Sequence, residues 1–330
     1  MNNKNKENAI WLLLDDRAGN CSQVLGIGKA LNLKYIKKIF QYNLFSKLPN
    51  IFLQNTIKHI KTNDRKQFKG PWPKVVIGCG RKSAPIGLWI KKQSNNYSKY
   101  IQIMWPSYPS SKLDIIFTPL HDNIKNKNNV IEIQTSPNII NHKLMHDSHT
   151  KWKTKFATLD KPKLSIIIGG DTKTHKLSVL HIKRLFKYIC KLSNHKGSIM
   201  ITSSRRTSKE CIKQIKKEVK KLKIKSIFWD INHKTANPYY GFLAHADLVV
   251  VTGDSVSICS EVCSTGKPLL IYAPKDITQK KHDIFHKLLI KKGIAKYLED
   301  FKIQDLNNFT YKPINEAENI AKIIKNKYLI

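Results

Sequence analysis

The sequence has few acidic residues, few cysteines and no long apolar run, and each scarcity argues against a class of protein. Asp and Glu account for only 23 of the 330 residues, and no apolar stretch approaches the roughly 18 residues that cross a bilayer. The six cysteines form no C-x-x-C pair and no Cys/His cluster with zinc spacing. Residues 1–8 are polar and lack the apolar core of a signal peptide. We therefore expect a cytoplasmic protein with reduced thiols.

Basic residues are abundant instead, because 59 Lys and Arg give a formal net charge of +36. Such a charge is typical of proteins that bind nucleic acid or an anionic membrane. The lysines are nevertheless spread along the whole chain, and the run 211–226 places its apolar residues on one helical face and its lysines on the others. The charge thus indicates solvated helix faces rather than a nucleic-acid groove. Attraction to anionic lipid headgroups, with the protein peripheral at the inner membrane, is a secondary expectation.

The order of strands and helices predicts an α/β protein with two doubly wound, Rossmann-like domains that face a cleft. Short apolar strands alternate with helices through both halves, and 330 residues exceed what one hydrophobic core usually organises. We expect an N-terminal domain over 1–140, a linker over 141–163 and a C-terminal domain over 164–330, with the last helix packing back on the N-terminal domain. Ligands of such folds bind outside the carboxyl ends of the strands, so the loops there are the candidate sites.

Two loops in the second half carry groups that suit a phosphate. Gly169 and Gly170 follow a buried strand and permit a close backbone approach, although an ordinary tight turn explains them equally well. The polar run 203–207 contains arginines that suit a diphosphate, although surface charge explains it too. The candidate residues of these two loops are Gly169, Gly170, Thr172, Ser203, Ser204 and Arg205.

A third loop leads into a helix that carries an isolated glutamate. Ser255 and Ser257 are predicted at the helix N-terminus, where hydroxyl and amide groups bind an anion, and Asp254 precedes them. Glu261 lies further along among small apolar residues. Because burial of an unpaired carboxylate is costly, we favour a contact with a ribose diol over a structural ion pair. Asn237 and Tyr239 are candidates for the base pocket, although turn chemistry explains Asn237-Pro238-Tyr239 almost as well.

The first half carries a polar loop after its first strand, which suits an acceptor site. Asp16 is the preferred general base, and His121, followed by Asp122, is a second candidate. The segment 78–83 lacks the third glycine of a dinucleotide fingerprint, which argues against an NAD enzyme. The remaining candidates on the acceptor side are Arg17, Gly19, Asn20, Gly80 and Arg81.

Taken together, these segments resemble the mitochondrial fission elongated-mitochondria (Elm) family. The resemblance spans nearly the whole chain in order, through 16–20, 78–81, 121–122, 169–170, 202–207, 237–239 and 252–268. The family is similar to GT-B glycosyltransferases, and this likeness implies a nucleotide-sugar on the C-terminal domain, with no metal and no cofactor. Bacterial relatives also carry the label of nucleotide-sugar epimerases, against which the incomplete fingerprint argues. For plant members the resemblance implies a non-catalytic role, recruitment of a dynamin-related protein.

The leading hypothesis is therefore a metal-independent glycosyltransferase that uses a nucleotide-sugar donor. Its acceptor would be a lipid or glycan at an anionic membrane surface. The alternative is an adaptor that keeps the fold without turnover, and a nucleic-acid binder is the third and weakest hypothesis. Under the leading hypothesis Asp16 deprotonates the acceptor and Glu261 binds the ribose. The phosphates are held by Gly169, Gly170, Ser203, Arg205 and Ser255.

Overall fold

The structure, a computed structural model, describes residues 10–107, 110–122, 124, 128–172 and 174–329. The polar residues 1–8, on which the signal-peptide argument rests, lie outside the described residues. The chain divides into two compact units. Unit 1 comprises the residues up to Ile139 and those from Asn315 onward, and unit 2 comprises Ile140–Ile314. Within the described ranges, none of the helices combines the length and the hydrophobicity that crossing a membrane requires.

Unit 1 is built on a six-stranded parallel sheet with the order β2-β1-β3-β4-β5-β6. Its strands are β1 (Ile10–Leu14), β2 (Tyr35–Ile39), β3 (Val75–Cys79), β4 (Lys99–Ile103), β5 (Ile115–Pro119) and β6 (Val130–Ile133). Its helices before residue 139 include α1 (Ala18–Ala30), α2 (Asn50–Leu53), α3 (Thr62–Arg65) and α4 (Ala84–Gln93). Strands β1 and β3 are buried throughout, which is why they read as continuous apolar runs. The strand order reverses beside β1, so the loops after β1 and β3 adjoin at the switch point.

Unit 2 is built on a second six-stranded parallel sheet with the order β12-β11-β10-β7-β8-β9. Its strands are β7 (Lys163–Ile168), β8 (Ser198–Ser203), β9 (Lys225–Trp229), β10 (Leu248–Thr252), β11 (Leu269–Tyr272) and β12 (Ala295–Tyr297). Its helices include α5 (His142–Trp152), α6 (Val179–Ser193), α7 (Lys209–Lys221), α8 (Tyr239–His245), α9 (Val256–Thr265) and α10 (Lys280–Lys291). The order reverses between β7 and β10, which brings together the loops after these two strands. Two doubly wound α/β units confirm the predicted fold class.

The segment 141–163 differs from its prediction as a linker, because α5 lies within it and belongs to unit 2. The Asn141 side chain caps this helix by accepting a hydrogen bond from the Leu144 amide at 2.8 Å. Trp152 and Phe156 stack with ring centroids 5.4 Å apart and enter the core of unit 2. The segment is mostly His, Lys, Thr and Asn and buries few apolar side chains, so its sequence carries almost no helical periodicity.

The last α-helix, α11 (Glu316–Ile324), belongs to unit 1 although it follows unit 2 in the chain. Its side chains Ile320 and Ile324 are fully buried in the same core as Val24 and Ile27 of α1. The Glu316 carboxylate accepts a hydrogen bond from the Gln134 amide at 2.7 Å, across 182 residues of sequence. The chain therefore returns to unit 1 through both apolar packing and a buried polar contact.

Candidate functional site

The loops after β7 and β10 are joined by a hydrogen-bond network at the switch point of unit 2. The Gly169 amide donates to Thr252 Oγ1 at 2.8 Å, and the Gly170 amide donates to Asp254 Oδ2 at 3.1 Å. The Thr252 hydroxyl in turn donates to Asp254 Oδ1 at 2.6 Å. Both glycine amides, which the sequence favours as phosphate donors, are thus bonded within unit 2 in this structure.

Asp254 is the centre of this network, and its carboxylate is almost fully buried. The Arg206 guanidinium donates to Asp254 Oδ2 at 2.6 Å and also to the Asp171 carbonyl at 2.9 Å. With the Gly170 amide and the Thr252 hydroxyl, the buried carboxylate accepts from three donors, which offsets the cost of removing it from water. Asp254 thus holds the three loops together.

The two glycines are required here by the closeness of their neighbours. A Cβ atom on Gly169 would lie 2.1 Å from the Asp254 carboxylate, and one on Gly170 would lie 2.1 Å from the Arg206 carbonyl. The Asp254 carboxylate cannot retreat without breaking the bonds just described, and the Arg206 carbonyl is held by the Asp171 amide, which donates to it at 3.0 Å. This close backbone approach explains why glycine follows β7, independently of any ligand.

The loop after β8 orients its two arginines differently. Both arginines are exposed, but Arg206 is bonded to the buried Asp254 carboxylate, and Arg205 is the one that the sequence favours for a diphosphate. The Ser204 amide donates to Thr207 Oγ1 at 2.9 Å, and the Thr207 hydroxyl donates to the Gly169 carbonyl. These bonds fix the loop, so Arg205 projects from a rigid base.

Two further candidates lie near these loops in different settings. Ser203 is buried at the end of β8, and its hydroxyl has no hydrogen-bond partner among the described residues. Thr172 Oγ1 accepts from the His175 amide at 3.0 Å and from Gln279 Nε2 at 3.1 Å. Thr172 therefore fastens its loop to the residue that precedes α10.

The N-terminus of α9 has the predicted cap. The Ser255 hydroxyl accepts a hydrogen bond from the Ile258 amide at 3.4 Å, which confirms Ser255 at the N-cap, and Ser257 is exposed in the first turn. The amides of Val256 and Ser257 lie outside the intrahelical hydrogen-bond ladder, as the first amides of every α-helix do. This end of α9 carries partial positive charge at the carboxyl end of β10 and suits an anion.

Glu261 lies six residues beyond Ser255 on α9 and is held by a tyrosine. The Tyr239 hydroxyl donates to Glu261 Oε2 at 2.5 Å, and the Asn237 side chain fixes the start of α8 by accepting from the Tyr239 amide at 2.9 Å. No Lys, Arg or His of the described chain forms an ion pair with this carboxylate, so the structural ion pair considered from the sequence is absent there.

Burial raises the pKa of Glu261 and of the neighbouring Tyr240. Removal from water raises the pKa of Glu261 to about 7, and the Tyr239 hydrogen bond opposes that rise. Burial, and then the charge of Glu261, raise the pKa of Tyr240 to about 12. A carboxyl group without a counter-cation that titrates near neutral pH is typical of binding and catalytic sites.

In unit 1, the loop after β1 is shaped by Asp15, the neighbour of the predicted base Asp16. Asp15 accepts hydrogen bonds from the Arg17 amide at 3.0 Å and from Asn20 Nδ2 at 2.9 Å, and burial raises the pKa of Asp15. Asp16 and Arg17 are both exposed beside it. The loop therefore presents one carboxylate while the other fixes the backbone.

Two glycines flank this loop. Gly80 follows β3 with φ at 80°, a conformation that favours glycine, and a Cβ there would lie 3.0 Å from Asn20 Nδ2. Gly19 lies in the exposed first turn of α1, where an added Cβ would meet nothing within 4 Å. Of these two glycines, only Gly80 therefore occupies a position whose surroundings require glycine.

Arg81 and His121 are less available than the sequence suggests. The Arg81 guanidinium donates to the carbonyls of Leu48 at 2.7 Å and Ser46 at 3.0 Å, so it fastens the segment before α2. His121 is buried, and its Nε2 lies 3.9 Å from Asp122 Oδ1. Neither side chain is presented openly at the carboxyl end of the sheet.

Comparison with known proteins places the chain in a family. The family model described as "Mitochondrial fission ELM1" matches residues 18–328. The chain belongs to the mitochondrial fission ELM1 family. It is 32% identical to the uncharacterized protein RP120 of Rickettsia prowazekii, with 96% of this chain and 97% of that protein covered. It is 27% identical to the mitochondrial fission protein ELM1 of Arabidopsis thaliana, with 83% of this chain and 68% of that protein covered.

Solved structures of low sequence identity share the fold of this ELM1-family chain. The UDP-GlcNAc 2-epimerase of Methanocaldococcus jannaschii aligns with a TM-score of 0.58 at 14% identity, and covers 96% of this chain and 99% of the epimerase. MurG of Acinetobacter baumannii gives 0.55 at 13%, with 96% and 99% covered. The UDP-GlcNAc 2-epimerase of Neisseria meningitidis, solved bound to UDP-GlcNAc, gives 0.53 at 15%, with 96% and 98% covered. These likenesses place the ELM1-family chain in the GT-B-like fold class.

Three residues of the unit 2 network in this ELM1-family chain lie in the predicted loops but are not among the individual site candidates. Thr252, Arg206 and Thr207 all bond to the glycine loop or to Asp254. A hydroxyl that ends an apolar strand, as Thr252 ends β10, is the signal that could have indicated the first of them. Nothing in the sequence distinguishes Arg206 from Arg205, since the inward direction is set by a carboxylate 48 residues away.

Proposed function

We propose that this ELM1-family chain binds a nucleotide-sugar on unit 2 and transfers the sugar to an acceptor hydroxyl without a metal ion. Glu261 carries the proposal, because it is a carboxylate with a raised pKa and no ion-pair partner among the described residues, on the helix that begins at the switch point. The GT-B-like fold supports it, since the fold's solved neighbours include MurG and an epimerase bound to UDP-GlcNAc.

The proposed role of Glu261 is to accept hydrogen bonds from the two ribose hydroxyls. A carboxylate has two oxygens and about four acceptor positions, so it can hold a diol while still accepting from Tyr239. Glu261 lies six residues beyond Ser255, a rise of about 9 Å along an α-helix. Such a separation suits a nucleoside diphosphate whose phosphates lie at the helix N-terminus.

The groups proposed to contact the phosphates are the hydrogen-bond donors that are not already used within unit 2. The Val256 and Ser257 amides, the Ser257 hydroxyl and the exposed Arg205 are the donors left for a ligand. Gly169 and Gly170, in contrast, shape the loop through Asp254. Arg206 balances the Asp254 charge, which would otherwise repel a diphosphate. Of the phosphate contacts expected from the sequence, the α9 N-terminus and Arg205 therefore stay in the proposal, and the two glycine amides do not.

Transfer would proceed by exchange of one C–O bond for another. Asp16, exposed at the carboxyl end of β1, would take the proton of the acceptor hydroxyl as its oxygen bonds to the anomeric carbon. The bond from that carbon to the diphosphate oxygen breaks, and the leaving group is stabilised by the α9 N-terminus and Arg205. We propose a lipid or glycan as the acceptor.

A thermal-shift screen tests the binding step. The purified chain would be heated with nucleoside diphosphates and nucleotide-sugars, starting with UDP-GlcNAc, with and without a chelator. A ligand at about 100 times its Kd adds roughly 2.7 kcal/mol of stability. We expect a chelator-resistant shift that Glu261→Ala abolishes and that the exposed control Glu299→Ala leaves unchanged. The absence of a shift with every nucleotide-sugar would overturn the proposal.

A turnover assay then separates a transferase from a protein that only binds. Release of the nucleoside diphosphate in the presence of acceptor should fall by about a hundredfold or more in Asp16→Asn, since general-base catalysis contributes on that order. Binding measured by thermal shift should be unchanged in the same variant. Donor binding without release of the nucleoside diphosphate under any acceptor would indicate a non-catalytic role.

A further inference from the structure

Large apolar side chains are exposed within one short segment of unit 1. Leu44, Phe45, Leu48, Ile51 and Phe52 are 78%, 60%, 42%, 65% and 72% exposed. Single exposed apolar residues are ordinary, but such a concentration marks an interaction surface. We call residues 44–52 the docking segment.

In the docking segment, polar side chains are buried and apolar side chains are exposed, and hydrogen bonds hold this arrangement. Its polar residues Ser46 and Asn50 are buried, at 3% and 1% exposure, where a globular protein would usually bury the apolar ones. Asn50 Nδ2 donates to the carbonyls of Arg81 and Pro106, both at 2.8 Å. The Arg81 guanidinium returns hydrogen bonds to the carbonyls of Ser46 and Leu48. The exposure of the apolar side chains is therefore built into the fold by buried polar contacts.

Along the sequence, the charged residues on either side of the docking segment are basic. No Asp or Glu occurs between Asp16 and Asp64 in the sequence, whereas seven lysines do. Lys47 within the segment, and Lys58 and Lys61 shortly after it, are exposed. Exposed apolar side chains with one lysine among them and two more shortly after, in a stretch of sequence without acids, match an anionic lipid interface, where the rings enter the acyl boundary and the ammonium groups meet the phosphates.

We propose that the docking segment inserts into the surface of an anionic bilayer. Phe45 and Phe52 would enter the acyl boundary, while Lys47 and Lys58 would contact the headgroups. Arg81, which holds the segment, directly follows Gly80 at the carboxyl end of β3, so the candidate acceptor loops are tied to this surface. Docking itself is independent of the enzymatic proposal, whereas a lipid-linked acceptor rests on the proposed function.

Flotation of the full chain with lipid vesicles tests docking. Vesicles of phosphatidylcholine alone would be compared with an equal mixture of phosphatidylcholine and phosphatidylglycerol. We expect binding to the anionic vesicles and about tenfold weaker partitioning for the double variant Phe45→Ser/Phe52→Ser. The matched control Leu180→Ser/Ile231→Ser removes comparably exposed apolar side chains from unit 2 and should bind like the unaltered chain.

A charge test and a self-association test complete the experiment. Lys47→Glu/Lys58→Glu should weaken anionic binding about tenfold, whereas Lys213→Glu/Lys217→Glu, on exposed positions of α7, should weaken it much less. The proposal is overturned if the unaltered chain does not float with anionic vesicles or if the phenylalanine variant binds as tightly as its control. It is also overturned if sedimentation shows a dimer that the phenylalanine variant dissociates, because a second copy would then cover the segment.

The docking proposal and the enzymatic proposal can each be refuted without the other. All of these positions are exposed, so the variants should keep the melting temperature and the UDP-GlcNAc shift of the unaltered chain. If the phenylalanine variant no longer floats but keeps the UDP-GlcNAc thermal shift, the docking segment is assigned to membrane binding. Flotation without any nucleotide-sugar shift would refute the enzymatic proposal and leave docking supported.

Discussion

Replacement of Glu261 by Gln should remove the pH dependence of nucleotide-sugar binding. The substitution keeps the size of the side chain and an oxygen that can accept from Tyr239, but it removes the charge. Burial raises the pKa of Glu261 to about 7, so the carboxyl is mostly protonated one unit below neutrality and mostly ionised one unit above. Only the ionised form can accept hydrogen bonds from both ribose hydroxyls with full strength.

The expected size follows from the difference between charged and neutral hydrogen bonds. A bond to a charged group contributes about 1.5–3 kcal/mol and a neutral one about 0.5–1.5 kcal/mol. Loss of the charge should therefore weaken binding by about 1–2 kcal/mol, or roughly tenfold. The affinity of the unaltered chain for UDP-GlcNAc should rise about fivefold from about pH 6 to about pH 8, because the ionised fraction of Glu261 rises from about 0.1 to about 0.9. The affinity of Glu261→Gln should stay at the lower value throughout.

Calorimetric titration with UDP-GlcNAc at several pH values measures this directly. A nucleotide-sugar is the better probe than a nucleoside diphosphate, because its diphosphate is esterified at both ends and does not titrate in this range. Near neutral pH, binding to the unaltered chain and to the control Glu299→Gln should release a proton, seen as a dependence of the heat on the buffer. An equal slope of affinity against pH in Glu261→Gln and the unaltered chain would refute the role given to Glu261.

Three further predictions concern stability. In a urea titration, Gly169→Ala should lower the free energy of unfolding by about 2 kcal/mol, because its Cβ would lie 2.1 Å from the Asp254 carboxylate. The control Gly19→Ala, whose Cβ would meet nothing within 4 Å, should be neutral or slightly stabilising. Equal losses of stability in the two variants would contradict this prediction. Asp254→Asn should lower the free energy of unfolding, measured with urea, by about 2 kcal/mol, because it removes the ion pair with Arg206 and an acceptor for the glycine loop. Unchanged stability would show that the hydrogen-bond network around Asp254 does not stabilise the fold. Because the folded pKa of Glu261 lies above its usual value of 4.5, the folded state binds more protons than the unfolded state between about pH 4.5 and 7. The free energy of unfolding contributed by this group should therefore fall by about 3 kcal/mol as the pH rises through that window. Thermal melts over this range should show the fall in the unaltered chain and not in Glu261→Gln.

The secondary structure was largely predictable because it rests on neighbours in sequence. The continuous apolar runs of β1 and β10 indicate strands buried on both faces. Ser255 at the start of α9 and Gly266 at its end, with φ at 72°, are local capping signals that the structure reproduces. The failure at α5 is also local, since a helix with few apolar contacts leaves little periodicity to detect.

The candidate site was predictable only in its position. The alternation of strands and helices places polar loops at the carboxyl ends of parallel strands, and the loops after β7, β8 and β10 do adjoin there. Which groups face a ligand depends on partners far along the chain. The Gly170 amide is taken by a carboxylate 84 residues away, and the inward arginine is Arg206 because that carboxylate lies beneath it.

The sequence by itself determined the α/β class, the strand-end loops and the helix caps, because each depends on the chemistry of residues a few positions apart. Tertiary structure alone decided that Glu261 is paired with a tyrosine instead of a cation, and that Arg81 fastens the docking segment instead of meeting a ligand. It also decided that Asn50 is buried while Phe52 is exposed. These outcomes depend on long-range contacts, in which a buried polar group must find its partner wherever the fold places one.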